Sequence, residues 1–365
     1  MKVYNDIFLK RLNIVSIAFL VSFGILLNIS ASSVQGLNLY NDNFYFIKRH
    51  LLAVIVGIFL FNVIKNFDIK TITKFSSTLI VVVSIMLFLV LTYGIVVGGS
   101  RRWIDLGPIN LQPSEISKPI ILLWVSTQVT LKYKNENDLL ILFRSLFLPI
   151  LCAILILFEP DYGTFATICF IVFVQIFFSK IKFIYPATVL GAVTPLLYFL
   201  ANSSDYRVKR IQTWFSGKCD IGEDLLGDCF QLNQSRIAIS SGGFFGIGPG
   251  TSRARWGSLP NAYSDFIASI IGEEYGFFGM FILILLFFVL IISTFIIGIR
   301  ESSKIKQLYI IGFGSWIFFQ TVINLGGAVG IVPITGMVLP FVSYGSTAMV
   351  SIFVGLGIMY SRSNE

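Results

Sequence analysis

The chain has 365 residues, of which 55% are hydrophobic and only 13% charged, and its mean hydropathy is +0.83. A soluble domain carries roughly 25% charged residues, so this composition excludes a water-soluble enzyme. The positive-inside rule of membrane proteins explains much of the net charge of +8, and no nucleic-acid partner is expected. The single histidine, His50, excludes a multi-histidine metal site and a Ser–His triad within this chain.

Apolar runs of about 18 or more residues predict membrane-spanning helices. Because many such runs follow one another, the sequence predicts an all-α polytopic membrane protein, with ten transmembrane helices in a single domain of residues 1–365. A large extracytoplasmic loop, residues 202–264, separates the seventh span from the eighth. The predicted spans are 12–29, 47–64, 77–97, 116–131, 139–158, 162–179, 184–201, 266–298, 307–327 and 336–360.

An even number of spans brings both termini to one side of the membrane, and the distribution of Lys and Arg predicts that this side is the cytoplasm. Long loops cross a membrane largely regardless of their charge, so the basic residues of the 202–264 loop do not oppose this orientation. Basic residues occur in every segment predicted to be cytoplasmic: Lys2, Lys10, Arg11, Lys65, Lys70, Lys74, Lys132, Lys134, Arg144, Lys180, Lys182, Arg300, Lys304, Lys306 and Arg362.

Charged residues near a membrane are costly and therefore indicate function, and here they concentrate on the predicted outer side. Glu115 and Lys118 lie three residues apart at a helix start, so both point the same way and could form an ion pair. The pair could fix its helix against neighbouring helices or bind substrate. Asp161 follows Pro160 in a short turn, where a cap of the sixth helix is the simpler interpretation.

The outer segments also contain basic residues, including Arg101, Arg102, Arg207 and Arg210. Guanidinium groups suit an anionic ligand such as a phosphate. Attraction to anionic lipid headgroups is the alternative. In the same long loop, Cys219 and Cys229 could form a disulfide if that compartment is oxidising.

Asp265 lies where the long loop ends and an apolar segment begins, so it would be reachable from water yet partly desolvated. That environment suits a general base, whereas a helix cap is the alternative on local grounds. Between the last two spans, residues 326–346 contain Pro333, Pro340 and several glycines. They predict a broken or re-entrant segment lining a cavity near Asp265, with a kinked packing helix as the alternative.

Several motifs, in the right order along nearly the whole chain, resemble the SEDS family (shape, elongation, division and sporulation). These are lipid-linked peptidoglycan glycosyltransferases that include RodA and FtsW. The resemblance is closer to the division branch, FtsW, with the elongation branch, RodA, as the alternative. The motifs are Gly99–Ile104 through Gln112–Glu115, Glu159–Thr164, Gln234–Ser235 through Gly246, Leu259–Gly276, and Gly336–Met337 through Tyr344–Gly345.

The resemblance implies that Asp265 is the essential acid. Three departures from the family pattern stand out: Tyr263-Ser264 replaces a His-Thr pair, Glu159 replaces a glutamine, and Ser346 replaces a glycine. The first departure removes an imidazole and puts any titrating helper of Asp265 in doubt. The residues predicted to bind substrate are Arg101, Arg102, Glu115, Lys118, Asp161, Arg207, Arg210, Gln234 and Ser343.

The function implied by the resemblance is polymerisation of lipid II into glycan strands at the outer face of the bacterial cytoplasmic (inner) membrane, at the division septum. The implied partners are a class B penicillin-binding protein that supplies transpeptidase activity and other divisome proteins. A divalent cation, Mg²⁺ or Mn²⁺, could help the basic residues to neutralise the pyrophosphate. The alternatives are a lipid II flippase, which would place charges deep in the spans and show repeat symmetry, and a division scaffold.

Overall fold

The computed structural model describes residues 2–97, 100–105, 107, 110–131, 137–179 and 229–363, together with residues 181, 182, 184, 185, 187, 188, 191 and 195. Most of the predicted seventh span, 184–201, lies outside the described residues. So do Arg207, Arg210 and Cys219.

The described chain forms a helical bundle with a small antiparallel sheet in the order β1-β2-β3. The strands are β1 (Ile95–Val97), β2 (Ser100–Asp105) and β3 (Asn110–Leu111). The helices are α1 (Lys2–Tyr40), α2 (Tyr45–Ile64), α3 (Ile69–Lys74), α4 (Ser76–Tyr93), α5 (Pro113–Leu131), α6 (Asp138–Phe158), α7 (Tyr162–Phe177), α8 (Phe230–Ser241), α9 (Ile267–Arg300), α10 (Lys304–Val329) and α11 (Ser346–Met359).

Six helices of the described part are long and apolar enough to cross a membrane, namely α1, α2, α4, α6, α9 and α10. Helices α7 and α11 are apolar but shorter. Large side chains such as Phe19, Phe59 and Phe288 are more than half exposed, as expected where lipid rather than water surrounds the bundle. The chain is therefore a multi-pass membrane protein, and the count of ten spans stays a prediction.

Two predicted spans extend well beyond the helices observed, whereas the first, 12–29, covers only part of α1. The third predicted span, 77–97, is too long because α4 ends at Tyr93 and residues 95–97 pair as β1. The tenth, 336–360, begins too early because α11 starts only at Ser346. Gly330, with a φ of 84°, ends α10, and residues 331–345 contain no helix. The broken segment predicted between the last two spans is thus confirmed, and residues 330–345 are called the 330–345 loop below.

Helix α9 is interrupted at Gly276, where φ is 63° and ψ is −159°. The loop of residues 242–257, which is rich in glycine, packs directly into this interruption: a Cβ on Gly246 would lie 2.1 Å from the carbonyl oxygen of Glu274. The carboxylate of Glu273 accepts two backbone N–H groups from the same loop, at 3.0 and 3.2 Å. Close backbone packing therefore accounts for Gly242 and Gly246 of this loop.

The start of the first helix and the end of the last helix lie at the end of the bundle opposite Asp265. Helix α9 runs 34 residues from the Asp265 end, about 50 Å at 1.5 Å per residue. At its far end Arg300 pairs with Asp6 at 2.7 Å. Tyr360, next to the end of α11, donates its hydroxyl to Asn13 Oδ1 at 2.9 Å. The start of α1 and the end of α11 therefore lie on one side of the bundle, as the predicted even number of spans requires.

Candidate functional site

Asp265 lies half-buried in the turn immediately before α9. Its backbone N–H donates to the Asn261 carbonyl at 3.1 Å, which closes this turn. Helix α9 begins at Ile267, and its N-cap residue is Phe266, which makes no side-chain capping bond. Asp265 therefore does not occupy the N-cap position that was the alternative to a general base.

The 330–345 loop forms the surface next to the Asp265 carboxyl group. Gly336 has a φ of 73°, and a Cβ added there would lie 3.5 Å from Asp265 Oδ2. The Tyr344 N–H donates to the Tyr263 carbonyl at 3.1 Å, which holds the far end of the loop against the Asp265 turn. Ser343 is 3% exposed and accepts a hydrogen bond from the Leu339 N–H at 2.9 Å. Ser343 thus shapes the loop, and its contact with substrate stays a prediction.

Two amide side chains on α10, which the sequence did not single out, hold this loop. Asn324 Nδ2 donates to the Asp265 carbonyl at 2.9 Å and to the Met337 carbonyl at 2.6 Å. Gln320, one turn earlier on the same helix face, donates Nε2 to the Val338 carbonyl at 2.8 Å. Polar side chains spaced four residues apart in an apolar span are costly in a membrane, and that spacing is the signal that could have identified them.

The predicted ion pair between Glu115 and Lys118 is confirmed. Lys118 Nζ lies 2.7 Å from Glu115 Oε1, and the two residues are 1% and 6% exposed. Lys118 Nζ also donates to Gln320 Oε1 at 3.4 Å and lies 5.2 Å from the centre of the Trp316 ring. The pair therefore joins α5 to α10, and through Gln320 it reaches the 330–345 loop. Its contact with substrate stays a prediction.

Asp161 is the N-cap of α7, as its position after a proline predicts. Its carboxylate accepts hydrogen bonds from the Thr164 N–H at 3.2 Å and the Thr164 hydroxyl at 3.0 Å. Gln112 Nε2 donates to it at 3.4 Å, which connects the turn before α5 with α7. Asp161 is 4% exposed. The cap interpretation is confirmed, and the substrate-binding role stays a prediction.

Two arginines of the predicted anion site, Arg101 and Arg102, are among the described residues. Both lie on β2, and their side chains bind backbone carbonyls. Arg102 donates Nε to the Glu159 carbonyl at 3.2 Å and Nη2 to the Pro160 carbonyl. Arg101 is exposed, and its Nη1 lies 3.4 Å from the carbonyl oxygens of residues 91 and 92 at the end of α4. Arg101 thus remains accessible to an anion, whereas Arg102 organises the turn that precedes α7.

The described end of the long loop packs against the start of α9. Gln234 is half-buried on α8, and the adjacent Ser235 hydroxyl lies 2.6 Å from the Ser269 hydroxyl of α9. The motif around Gln234 therefore lies near Asp265 in space. Cys229, just before α8, is disulfide-bonded, whereas Cys152 and Cys169 are free thiols within the helices.

Glu159, one of the three departures from the pattern of the family that the sequence resembles, is a buried carboxyl group at the end of α6. It is 0% exposed, and neither carboxyl oxygen has a hydrogen-bond partner among the described residues. Burial is the main cause that raises the pKa of Glu159 from its ordinary 4.5 to about 9; the Asp161 carboxylate adds to the increase and the Arg102 guanidinium opposes it. Glu159 is therefore a neutral acid at pH 7, closer in charge to the glutamine of the family pattern than to a glutamate.

Replacing Glu159 by glutamine is expected to stabilise the protein at alkaline pH. Because the folded state holds this proton up to a pH of about 9 and the unfolded state loses it near 4.5, folding stability falls as the pH rises between these values. The Glu159→Gln variant has no proton to lose. Thermal unfolding in detergent should give a melting temperature several degrees above wild type at pH 8, and a small difference at pH 5.

Asp105→Asn is the matched control for this change. Asp105 is exposed on the neighbouring β2 strand, and asparagine can keep its bond from the Gly107 N–H. The control should melt with wild type at each pH. If Glu159→Gln lowers the melting temperature equally at pH 5 and pH 8, Glu159 is instead ionised and paired with Arg102.

A divalent cation has no all-protein cage in the described ranges, because no three His, Cys, Asp or Glu side chains come together there. Mg²⁺ is commonly held by one or two carboxylates together with substrate phosphates. Asp265, half-buried, could supply one such carboxylate. The cation predicted from the sequence fits this site only if substrate oxygens complete its coordination.

Comparison with known proteins points to one family throughout. The model of the cell cycle protein family FtsW/RodA/SpoVE matches residues 10–365. A relative from Wigglesworthia glossinidia brevipalpis, named probable peptidoglycan glycosyltransferase FtsW, is 34% identical over 94% of this chain and 90% of its own.

Solved structures agree on the fold. One chain, from a study of the structural coordination of polymerization and crosslinking by a peptidoglycan synthase complex, superposes with a TM-score of 0.77 at 24% identity, covering 95% of each chain. The rod shape determining protein RodA of Thermus thermophilus gives a TM-score of 0.68 at 23% identity, covering 95% of this chain and 94% of its own. At these identities the likeness concerns the fold alone.

Proposed function

Because the chain belongs to the FtsW/RodA/SpoVE family of cell cycle proteins, we propose that it is a peptidoglycan glycosyltransferase that polymerises lipid II for septal wall synthesis. The observation that carries the proposal is the half-buried Asp265, presented in a turn against Gly336 of the 330–345 loop. A carboxyl group in such a place can accept a proton from a substrate hydroxyl.

In the proposed reaction Asp265 removes the proton from the 4-hydroxyl of the acceptor sugar of lipid II. The oxygen attacks the anomeric carbon of the donor glycan, a glycosidic bond forms, and undecaprenyl pyrophosphate leaves with the electron pair of the broken bond. This single displacement inverts the anomeric configuration and needs one base, not a second carboxylate as nucleophile. Arg101, Arg207 and Arg210 are the cations proposed to meet the pyrophosphate, and the described member of this set, Arg101, is exposed.

The proposed topology has ten spans, with both termini in the cytoplasm and Asp265 at the outer face of the inner membrane. It is supported by the ion pair between Arg300 and Asp6 and by the bond between Tyr360 and Asn13, which bring the start of α1 and the end of α11 to the side away from Asp265. The basic residues of the predicted inner segments support the same orientation.

The proposed partner is a class B penicillin-binding protein that crosslinks the strands as they form, within the larger divisome. Support comes from the likeness to a chain of a peptidoglycan synthase complex. A large apolar surface on the membrane-spanning helices, for example at Phe59 and Phe288, leaves room for a partner's transmembrane helix beside lipid.

The purified protein together with its cognate transpeptidase, supplied with fluorescent lipid II, is expected to produce a ladder of glycan strands and to release undecaprenyl pyrophosphate. Movement of lipid II across vesicle membranes without polymer would favour the flippase. Polymerisation that depends only on the partner, and persists when this chain is left out, would favour a scaffold.

A further inference from the structure

The Asn324 side chain links two segments that are far apart in the sequence but meet at the proposed catalytic site. Its side chain is 5% exposed, and its Nδ2 group donates one hydrogen bond to the Asp265 carbonyl and one to the Met337 carbonyl. A side-chain amide has two N–H donors, so both are used. Asn324 Oδ1 is buried without a partner in the described chain. The orientation of the amide is therefore determined by the two hydrogen bonds that Nδ2 donates.

Gln320 extends the same arrangement by one helical turn. It holds the Val338 carbonyl at 2.8 Å, so two consecutive carbonyls of the 330–345 loop, those of residues 337 and 338, are bonded to side chains of α10. Its Oε1 accepts hydrogen bonds from Trp316 Nε1 at 2.6 Å and from Lys118 at 3.4 Å. The loop is therefore fixed to a buried part of the bundle at residues 337 and 338.

These hydrogen bonds affect the position of the Asp265 carboxyl group. Gly336, the residue before the bonded Met337, lies beside the Asp265 carboxyl group, with room for one carbon atom between them. The backbone of Asp265 is bonded to the same Asn324 amide as Met337. The Asn324 amide thus ties the backbone of Asp265 directly to the part of the loop beside the carboxyl group. Since a base must lie within hydrogen-bond reach of the proton that it removes, a shift of about 1 Å can cost roughly 100-fold in rate.

We infer that Asn324 is a positioning residue that holds Asp265 at a fixed distance from the 330–345 loop for the glycosyl transfer. The inference rests on the proposed function of Asp265 as the base. Asn324 itself touches two main-chain carbonyls and not the reacting atoms.

The test uses two substitutions, Asn324→Ala and Asn324→Asp. The first removes the amide, whereas the second keeps its shape but replaces the donor with an oxygen that faces two carbonyl oxygens. For both, the rate of lipid II consumption at saturation, kcat, is expected to fall about 100-fold, with KM for lipid II within about twofold of wild type. Rates are normalised to the folded, monodisperse fraction with the cognate transpeptidase present.

Asn13→Ala is the matched control. Asn13 is also a buried asparagine, and its Nδ2 lies within hydrogen-bond distance of the Leu290 carbonyl and the hydroxyls of Ser293 and Thr294. It lies at the opposite end of the bundle. Its replacement should lower the melting temperature as much as Asn324→Ala does and leave kcat within about twofold of wild type.

Wild-type rates in both Asn324 variants would overturn the inference, and so would an equal loss of kcat in Asn13→Ala, because the effect would then follow stability alone. The proposed function fails separately, if the wild-type protein with its partner makes no polymer.

Discussion

Replacing Asp265 by asparagine is expected to stop glycan polymerisation while leaving the protein folded. Asparagine has nearly the shape of aspartate but cannot take a proton from the acceptor hydroxyl, and a general base typically contributes roughly 100- to 10,000-fold to a rate. The measurement is the initial rate of lipid II consumption by the purified protein with its cognate transpeptidase. We expect at least about a 100-fold decrease.

The structure explains why this variant should fold. The contacts of Asp265 with Asn261 and Asn324 use its backbone N–H and carbonyl, which the substitution keeps. Asp68→Asn is a suitable control, because Asp68 caps α3 at the other end of the bundle and asparagine can still accept the bond from the Lys70 N–H. Full activity in Asp265→Asn would return the flippase and scaffold interpretations to consideration.

Replacing Lys118 by methionine is expected to cause the largest loss of stability among single substitutions in this site. The change leaves Glu115 charged, buried and without its partner, and breaking a buried ion pair in this way costs about 3–5 kcal/mol. Thermal unfolding in detergent should show a melting temperature lower by at least several degrees. Polymerisation should be lost as well, because Gln320 Oε1 no longer accepts the hydrogen bond from Lys118.

The double variant Glu115→Gln/Lys118→Met separates the charge from the packing. It removes both charges, so it should regain most of the stability that Lys118→Met loses. Lys48→Met is the control, because Lys48 pairs with Asp42 at a similar distance, 2.8 Å, but its side chain is 67% exposed. Such a surface pair contributes at most about 1 kcal/mol. Equal stability of Lys118→Met and Lys48→Met would contradict the importance of burial.

Sequence patterns predicted those parts of the structure that depend on neighbours along the chain. The spacing of Glu115 and Lys118 fixes their common direction on α5, and a carboxylate after Pro160 suffices to predict the cap at Asp161. The membrane class follows from apolar runs alone. Helix ends were less accurate at α4 and α11, because a short strand and an irregular loop can be as apolar as the helix that they border.

Contacts between distant segments could not be predicted in the same way. Nothing near Asn324 in the chain indicates that its amide meets Asp265, and nothing near Glu159 shows that burial keeps this carboxyl neutral. Both depend on how helices pack. The resemblance to a family identified Asp265 as the candidate base, but the surroundings of this residue required the folded chain.

The 330–345 loop has a further consequence for the thermodynamics of substrate binding. Although it has no regular structure, three helices hold it: Asn28 of α1 donates to the Val342 carbonyl at 2.7 Å, and Thr167 of α7 contacts the sulfur of Met337 at 3.4 Å, in addition to the amides of α10. The conformational entropy of this segment is therefore lost when the protein folds. In the proposed reaction a lipid-linked sugar would meet this surface already ordered, so its affinity would not be reduced by ordering the loop at each catalytic cycle.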